Sequence, residues 1–189
     1  MEYLISVAIG VGLSAACGFR VFLPLLGISL AALGGYVELS SEFSWIGSWF
    51  VFVALLAATV LEIGAYYIPW LDNFLDAISM PATVLAGTIA AASVITDMSP
   101  ALKWLLAIIA GGGTAGVFQT GTMAIRTAST FFTGGMGNFL ITSAEVLLAA
   151  AITILAIAVP VISLVFIVAV GYGMIKLFFR LKSGLKQSP

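Results

Sequence analysis

From Phe139 to Leu177 the chain runs for 39 residues without a polar loop, with Glu145 and Lys176 as its only charges. As a single helix this stretch would be roughly 58 Å long at ~1.5 Å per residue, about twice the ~30 Å hydrocarbon thickness of a bilayer. It therefore holds two crossings. Pro160 marks the turn between them, because proline lacks the helical N–H and clashes with the preceding turn. The rest of the sequence obeys the same constraint. Only 8% of the 189 residues are charged, where soluble domains carry about 25%, and mean hydropathy is +1.21. Fifteen charged side chains, 7 basic and 8 acidic, are too few to cover a soluble globule. The composition specifies an all-α integral membrane protein, read as one transmembrane domain over residues 1–189.

The same numbers exclude whole classes of function. A formal charge of −1 supplies no basic field for nucleic acid. With no His and one Cys, zinc sites, haem ligation, Ser-His and Cys-His catalysis and disulfide frameworks are all out of reach. No cofactor or metal is expected, and the chain is not read as an enzyme. Cys17, in Leu13-Ser14-Ala15-Ala16-Cys17, superficially resembles a lipoprotein cleavage site. A signal segment needs a positive start, however, and Met1-Glu2-Tyr3 offers an acid, so the N-terminus is expected to be retained.

Six apolar segments are long enough to be read as spans: Tyr3 to Leu33, Trp49 to Trp70, Leu75 to Ile95, Pro100 to Met123, Phe139 to Val159 and Val161 to Leu177. The first is too long for one crossing and carries its own break at Cys17-Gly18-Phe19-Arg20-Val21-Phe22-Leu23-Pro24. Basic residues set orientation. With both ends inside, Arg126, Lys176, Arg180, Lys182 and Lys186 are cytoplasmic, while Lys103 shares the outer side with Glu38, Glu42 and Asp97. This reading places the protein in a bacterial-type cytoplasmic (inner) membrane with a cytoplasmic C-terminus. Trp45 and Trp49 suit an outer loop lying against the interface, and Tyr66, Tyr67 and Trp70 an inner aromatic belt. Ser99-Pro100 reads as a helix start, with serine as the cap. Lys176, Phe178, Phe179, Arg180 and Leu181 form a basic amphipathic tail suited to anionic lipid.

The two halves resemble each other. Gly18 superposes on Gly116 at an offset of 98, and Glu62 on Glu145 at an offset of 83. The difference of 15 is about the length of the loop from Gly35 to Trp49. Each half, residues 1–97 and 100–182, then holds a glycine-broken first helix, a second helix with a Glu and a third starting near a Pro (Pro81, Pro160). Three crossings is odd, so the halves would be inverted repeats, an arrangement found in secondary transporters.

A charge deep in a span costs about 2.5–3.5 kcal/mol on insertion scales, which makes each one a functional hypothesis. Glu62 and Glu145 fall at such depths, and Arg20 and Arg126 are the only arginines before the tail. Ion pairing or shared hydrogen bonds among these four are expected; whether they serve function or only satisfy buried charge stays open. Asp72 and Asp76 share a helix face at i, i+4 beside Asn73, and either hold a cation or cap the start of the third span. Gly111 to Gly116, followed by Gln119, Thr120 and Thr122, reads either as close packing or as an unwound stretch lining a polar cavity. The uncharged polar run from Thr127 to Asn138 follows Arg126, and either binds a solute's polar groups or forms a solvated loop.

The runs Gly18-Phe19-Arg20-Val21-Phe22-Leu23-Pro24, Leu61-Glu62-Ile63, Tyr67-Ile68-Pro69-Trp70-Leu71-Asp72-Asn73 with Leu75-Asp76, and Arg126 with Thr133-Gly134-Gly135, Asn138 and Glu145, span nearly the whole chain. In them it resembles a family of small bacterial membrane proteins known only as a domain of unknown function. The resemblance implies a polytopic fold of this size and supplies no activity, substrate or cofactor. Family members often carry a His or Lys in the stretch matching Val117 to Met123 and an acidic pair at Glu145. Here the residues are Gln119, Met123 and Glu145-Val146, which weighs against a mechanism needing a second acid or a cation on the fourth span.

These residues point to a small-solute membrane transporter, proton-coupled through Glu62 and Glu145, with Arg20 and Arg126 suited to an anion or zwitterion. Asp72, Asn73, Asp76, Gln119 and Asn138 complete the candidate substrate-binding or coupling set. A protein that binds or translocates lipid headgroups, and a non-catalytic scaffold whose charges only specify packing, are the alternatives. The expected partners are membrane lipids and an unidentified small solute, with a homo-oligomer left open.

Overall fold

The computed structural model describes residues 2–96 and 98–185, apart from the side chains at 2, 69, 70, 72, 73, 76, 77, 178 and 181–185. Asp97 and Lys186, and the side chains of Trp70, Leu181 and Lys182, thus lie outside the described residues. The described residues form helices joined by short turns and loops, with no strand among them: α1 (Glu2–Cys17), α2 (Phe22–Leu33), a 3₁₀ segment (Ser41–Gly47), α3 (Trp49–Ala65), α4 (Pro69–Val94), α5 (Pro100–Leu106), a π segment (Ala107–Gly112), α6 (Gly113–Thr133), α7 (Asn138–Ala158) and α8 (Pro160–Leu185).

By length and composition three helices can cross a membrane: the continuous run Pro100–Thr133, Asn138–Ala158, and Pro160–Leu177 within α8. The 3₁₀ segment and α3, bent by 67°, count as a fourth if taken as one broken span. Tyr3–Cys17, Phe22–Leu33 and Ile78–Val94 are shorter apolar helices. A wide lipid-facing surface fits this reading, with Phe50 84%, Val117 71% and Val168 72% exposed.

The expected breaks at Gly18 and Pro160 are present. Val159 leaves the helical region at φ −144°, and α8 starts on Pro160. Other boundaries shift. Ile68 is extended, as residues before proline are, and Pro69 occupies the first turn of α4. The third helix thus begins before Leu75 and has Pro81 in its interior rather than at its start. Ser99 precedes Pro100 as expected but makes no side-chain cap. The glycines at 111–116 do not unwind the chain: the helix continues through them with one π turn, so only the first half has a broken first helix. Thr127 to Thr133, the first half of the expected polar loop, is helical, and α6 ends at Gly134 with φ +62°, the left-handed cap glycine favours.

Helix α1 is the centre, touching α4, α6, α7 and α8. Residues 12–20 are all buried, as suits a helix enclosed on every side. Small residues allow this close approach. A Cβ on Gly18 would lie 2.4 Å from Phe118 Cβ and 2.8 Å from the Ala115 carbonyl oxygen, and one on Gly87 2.5 Å from Ala115 Cβ. Ser14 Oγ lies 2.7 Å from the carbonyl oxygens of both Gly10 and Gly87, joining α1 to α4.

These contacts predict a contrast between two glycines. Gly18→Ala must push α1 from the α6 backbone and should cost about 1–3 kcal/mol, as overpacking does. Gly113→Ala, with nothing within 4 Å of its Cβ, should be neutral or gain up to about 1 kcal/mol from helix propensity. Thermal unfolding of the two variants in detergent checks the contrast; equal midpoints would refute it.

Candidate functional site

Helix α1 ends by tightening its last turn. Gly18 N–H donates to the Ala15 carbonyl at 3.1 Å, Phe19 N–H to Ala16 at 3.0 Å and Arg20 N–H to Ala16 at 3.1 Å. Arg20 is thereby set in the gap before α2, where it is 1% exposed. The gap leaves the first N–H groups of α2 without helical partners. Glu62, from α3, accepts two hydrogen bonds there, from Val21 N–H at 2.7 Å and Phe22 N–H at 3.0 Å. Glu62 therefore caps the broken helix instead of pairing directly with an arginine, although it is within electrostatic reach of Arg20 and Glu145.

Glu145, on α7, takes both arginines. Arg126 Nε donates to Oε1 at 3.0 Å and Arg126 Nη2 to Oε2, a bidentate grip, while Arg20 Nη2 donates to the same Oε2 at 2.9 Å. Such charge-assisted forks are among the strongest hydrogen bonds in proteins. Thr142, one turn earlier on α7, completes the cradle: its carbonyl accepts from Arg20 Nη2 at 3.3 Å and its Oγ1 from Arg126 Nη2 at 3.2 Å. The side chains of all three charged residues are at most 5% exposed. The Tyr66 ring lies beneath both guanidiniums, 4.0 Å from Arg20 Cζ and 4.6 Å from Arg126 Cζ, a cation–π arrangement that strengthens with desolvation. Arg20 Nε and Nη1 are buried and have no hydrogen-bond partner among the described residues.

Four of the nine expected site residues therefore come together: Arg20, Glu62, Arg126 and Glu145. Gln119 serves a neighbouring network. Its Nε2 donates to Ser79 Oγ at 2.7 Å and its Oε1 accepts from Thr83 Oγ1 at 3.3 Å, joining α4 to α6. It shares the buried face of α6 with Thr122 and Arg126. Asn138 donates to Thr130 Oγ1 at 3.1 Å across the turn between α6 and α7, two helical turns before Glu145. The side chains of Asp72, Asn73 and Asp76 lie outside the described residues.

Two members were missed from the sequence, Thr142 and Tyr66. Thr142 is three residues before Glu145 and Tyr66 four after Glu62, so helical spacing alone aligns each with a residue already singled out. The Tyr66 ring, expected in an inner aromatic belt, sits against the arginines. Tyr67 is outside the site, bonding Ser143 Oγ at 3.0 Å, with its ring tilted against that of Phe139 at a centroid distance of 5.0 Å. Lys103, expected on the outer side with Glu38, Glu42 and Asp97, is 6% exposed and pairs with Glu42, which fastens the 3₁₀ segment to α5.

Over residues 7–180 the chain matches the family described as a domain of unknown function (DUF4126), and it belongs to that family. No curated protein and no solved structure matched it.

The cluster's energetics are asymmetric. Removing one partner of a buried ion pair strands the other charge, which costs about 3–5 kcal/mol. Glu145→Ala should lower stability by that amount. Glu62→Ala, which uncaps two backbone donors, should cost about 0.5–2 kcal/mol. Chemical unfolding in detergent compares them; a Glu145→Ala protein as stable as the wild type would mean that the arginines find other partners.

Proposed function

We propose that this protein is a proton-coupled transporter of a small anionic or zwitterionic solute. The observation that carries the reading is the sharing of one carboxylate, Glu145, by two buried arginines, one of which keeps Nε and Nη1 unbonded. Glu145 occupies its arginines as a solute carboxylate or phosphate would. Ionised, it is an acceptor only; protonated, it becomes a donor with less to offer a guanidinium. Protonation thus loosens Glu145 as an anion takes its place, and the two enter together. Arg20 is the receiving group, since Nε and both hydrogens of Nη1 are available beside the Nη2 that holds Glu145. Glu62, held by the α2 backbone, keeps the broken helix in place and leaves the coupling proton to Glu145.

The alternating movement is assigned to the two halves, residues 1–97 and 100–182, as inverted three-helix units in a six-crossing bundle. Packing supports this assignment. At the offset of 98, α2 corresponds to the body of α6; exchanging α2 with α6, α3 with α7 and α4 with α8 maps the contacts α2–α3 and α2–α4 onto α6–α7 and α6–α8, all of which are made. Gly18, the repeat mate of Gly116, packs on the adjacent Ala115, as residues near a pseudo-two-fold axis must. The excess of basic residues toward the end of α8 supports a cytoplasmic C-terminus in a bacterial inner membrane. A scaffold role is the second reading, favoured by the closed geometry around Glu145.

Uptake into proteoliposomes, driven by an inward proton gradient across a panel of small carboxylates, phosphates and amino acids, tests the proposal. At least one anion should accumulate. Arg126→Gln should abolish uptake, and Glu145→Gln should lose at least ~10-fold of the gradient-driven component, the equivalent of ~1.4 kcal/mol. A folded wild type that accumulates none of the panel overturns transport in favour of the scaffold.

A further inference from the structure

A groove runs along the face where α6 meets α8. Val117, Gly121 and Ala124 of α6 and Gly171, Ile175 and Phe179 of α8 line an apolar groove of about 340 Å³. It runs from Gly171 to Phe179, ~12 Å along α8 at ~1.5 Å per residue. The small residues create it: a Cβ on Gly121 would come within 2.5 Å of Met174 Cε, while one on Gly171 would reach only Phe118 Cζ, at 3.6 Å. Nothing in the mechanism above uses this groove.

One end of the groove is cationic. Ile175 and Phe179 also line a shallower cleft with Tyr172, Lys176 and Arg180, so the apolar slot opens directly onto two basic side chains one turn apart. Lys176 and Arg180 lie toward the C-terminal end of α8, beside the Ile175 and Phe179 end of the slot, with Gly171 at its other end. A free inorganic anion would have no use for the slot, and an uncharged lipid none for the cations.

We propose that this face is a binding site for one anionic phospholipid, with an acyl chain along the α6–α8 groove and the phosphate between Lys176 and Arg180. Juxtamembrane basic residues attract anionic lipid, and the slot adds the shape that turns general attraction into a site. The site lies on the outside of the bundle, apart from the Glu145 cluster, so it stands whether or not the transport reading does.

Native mass spectrometry and thermal unfolding of the full chain, with phosphatidylglycerol, phosphatidylcholine of the same acyl chains, and glycerol phosphate, test it. Phosphatidylglycerol should be retained as a single copy and raise the unfolding temperature; the other two should do neither to the same degree. Ala124→Leu fills the slot without touching charge, and the double variant K176Q/R180Q removes charge without touching the slot. Each should weaken phosphatidylglycerol binding at least ~10-fold. Unfolding of each variant without lipid separates loss of the site from loss of the fold. Should Ala124→Leu fail to fold, Gly171→Leu blocks the same slot from α8. Equal retention of phosphatidylcholine, equal stabilisation by glycerol phosphate, or undiminished binding in either folded variant overturns the proposal.

Discussion

Two guanidiniums held on one carboxylate, away from water, are the interaction around which the bundle is organised. Each of these charges is costly to bury alone, and each resides on a different element: Arg20 in the gap after α1, Arg126 on α6, Glu145 on α7. The three helices must therefore approach together or leave a charge stranded. Tyr66 and Glu62 bring α3 into the same requirement, the first through its ring face and the second through the α2 backbone. Apolar surface between helices supplies little drive for association within a bilayer. A polar centre of this kind gives the bundle a register that Leu and Val could not specify.

Packing around α1 makes that geometry reachable. Arg20 can reach Glu145 only if α1 lies deep among its neighbours, which in turn needs Gly18 against the α6 backbone and Gly87 and Gly111 between α1, α4 and α6. The π turn at Ala107–Gly112 belongs to the same compromise. It widens the helix locally where it packs on α4 and lets the helix continue at full length to Arg126.

Much of this was legible in the sequence because hydrophobic length and rare charges are strong signals in a membrane protein. The 39-residue run around Pro160, with no polar loop in it, admitted only two helices, and Arg20 and Arg126, the only arginines before the tail, had few deep acids to choose from. What misled was anything decided by tertiary contact. Gly111 to Gly116 permits both unwinding and close packing, and only the neighbouring α4 selects the second. Tyr66 carries the composition of an interfacial residue; that two arginines lie against its ring depends on the α1 break and α6 meeting over it. Glu62 was expected to pair or share hydrogen bonds within the group of four charges and instead answers two backbone N–H groups, a demand created by the break and invisible to charge counting.

The division of labour between the two acids follows from what each holds. Glu62 accepts from backbone groups, which have no alternative partner while α2 stays where it is, so releasing it would unfasten the start of a helix. Glu145 accepts only from side chains, and guanidiniums can exchange one oxyanion for another without any backbone N–H losing its bond. The two arginines are also differently placed for such an exchange. Arg126 meets Glu145 with a two-point fork from an unbroken helix, whereas Arg20 gives it a single nitrogen from a break in the chain and has donors left over. An incoming anion would therefore meet the least resistance on the Arg20 side, with Arg126 keeping its hold on Glu145 until the second oxygen is displaced. Under the proposed transport, that order would make the broken first helix the receptive part of the bundle and the continuous α6 the part against which it works.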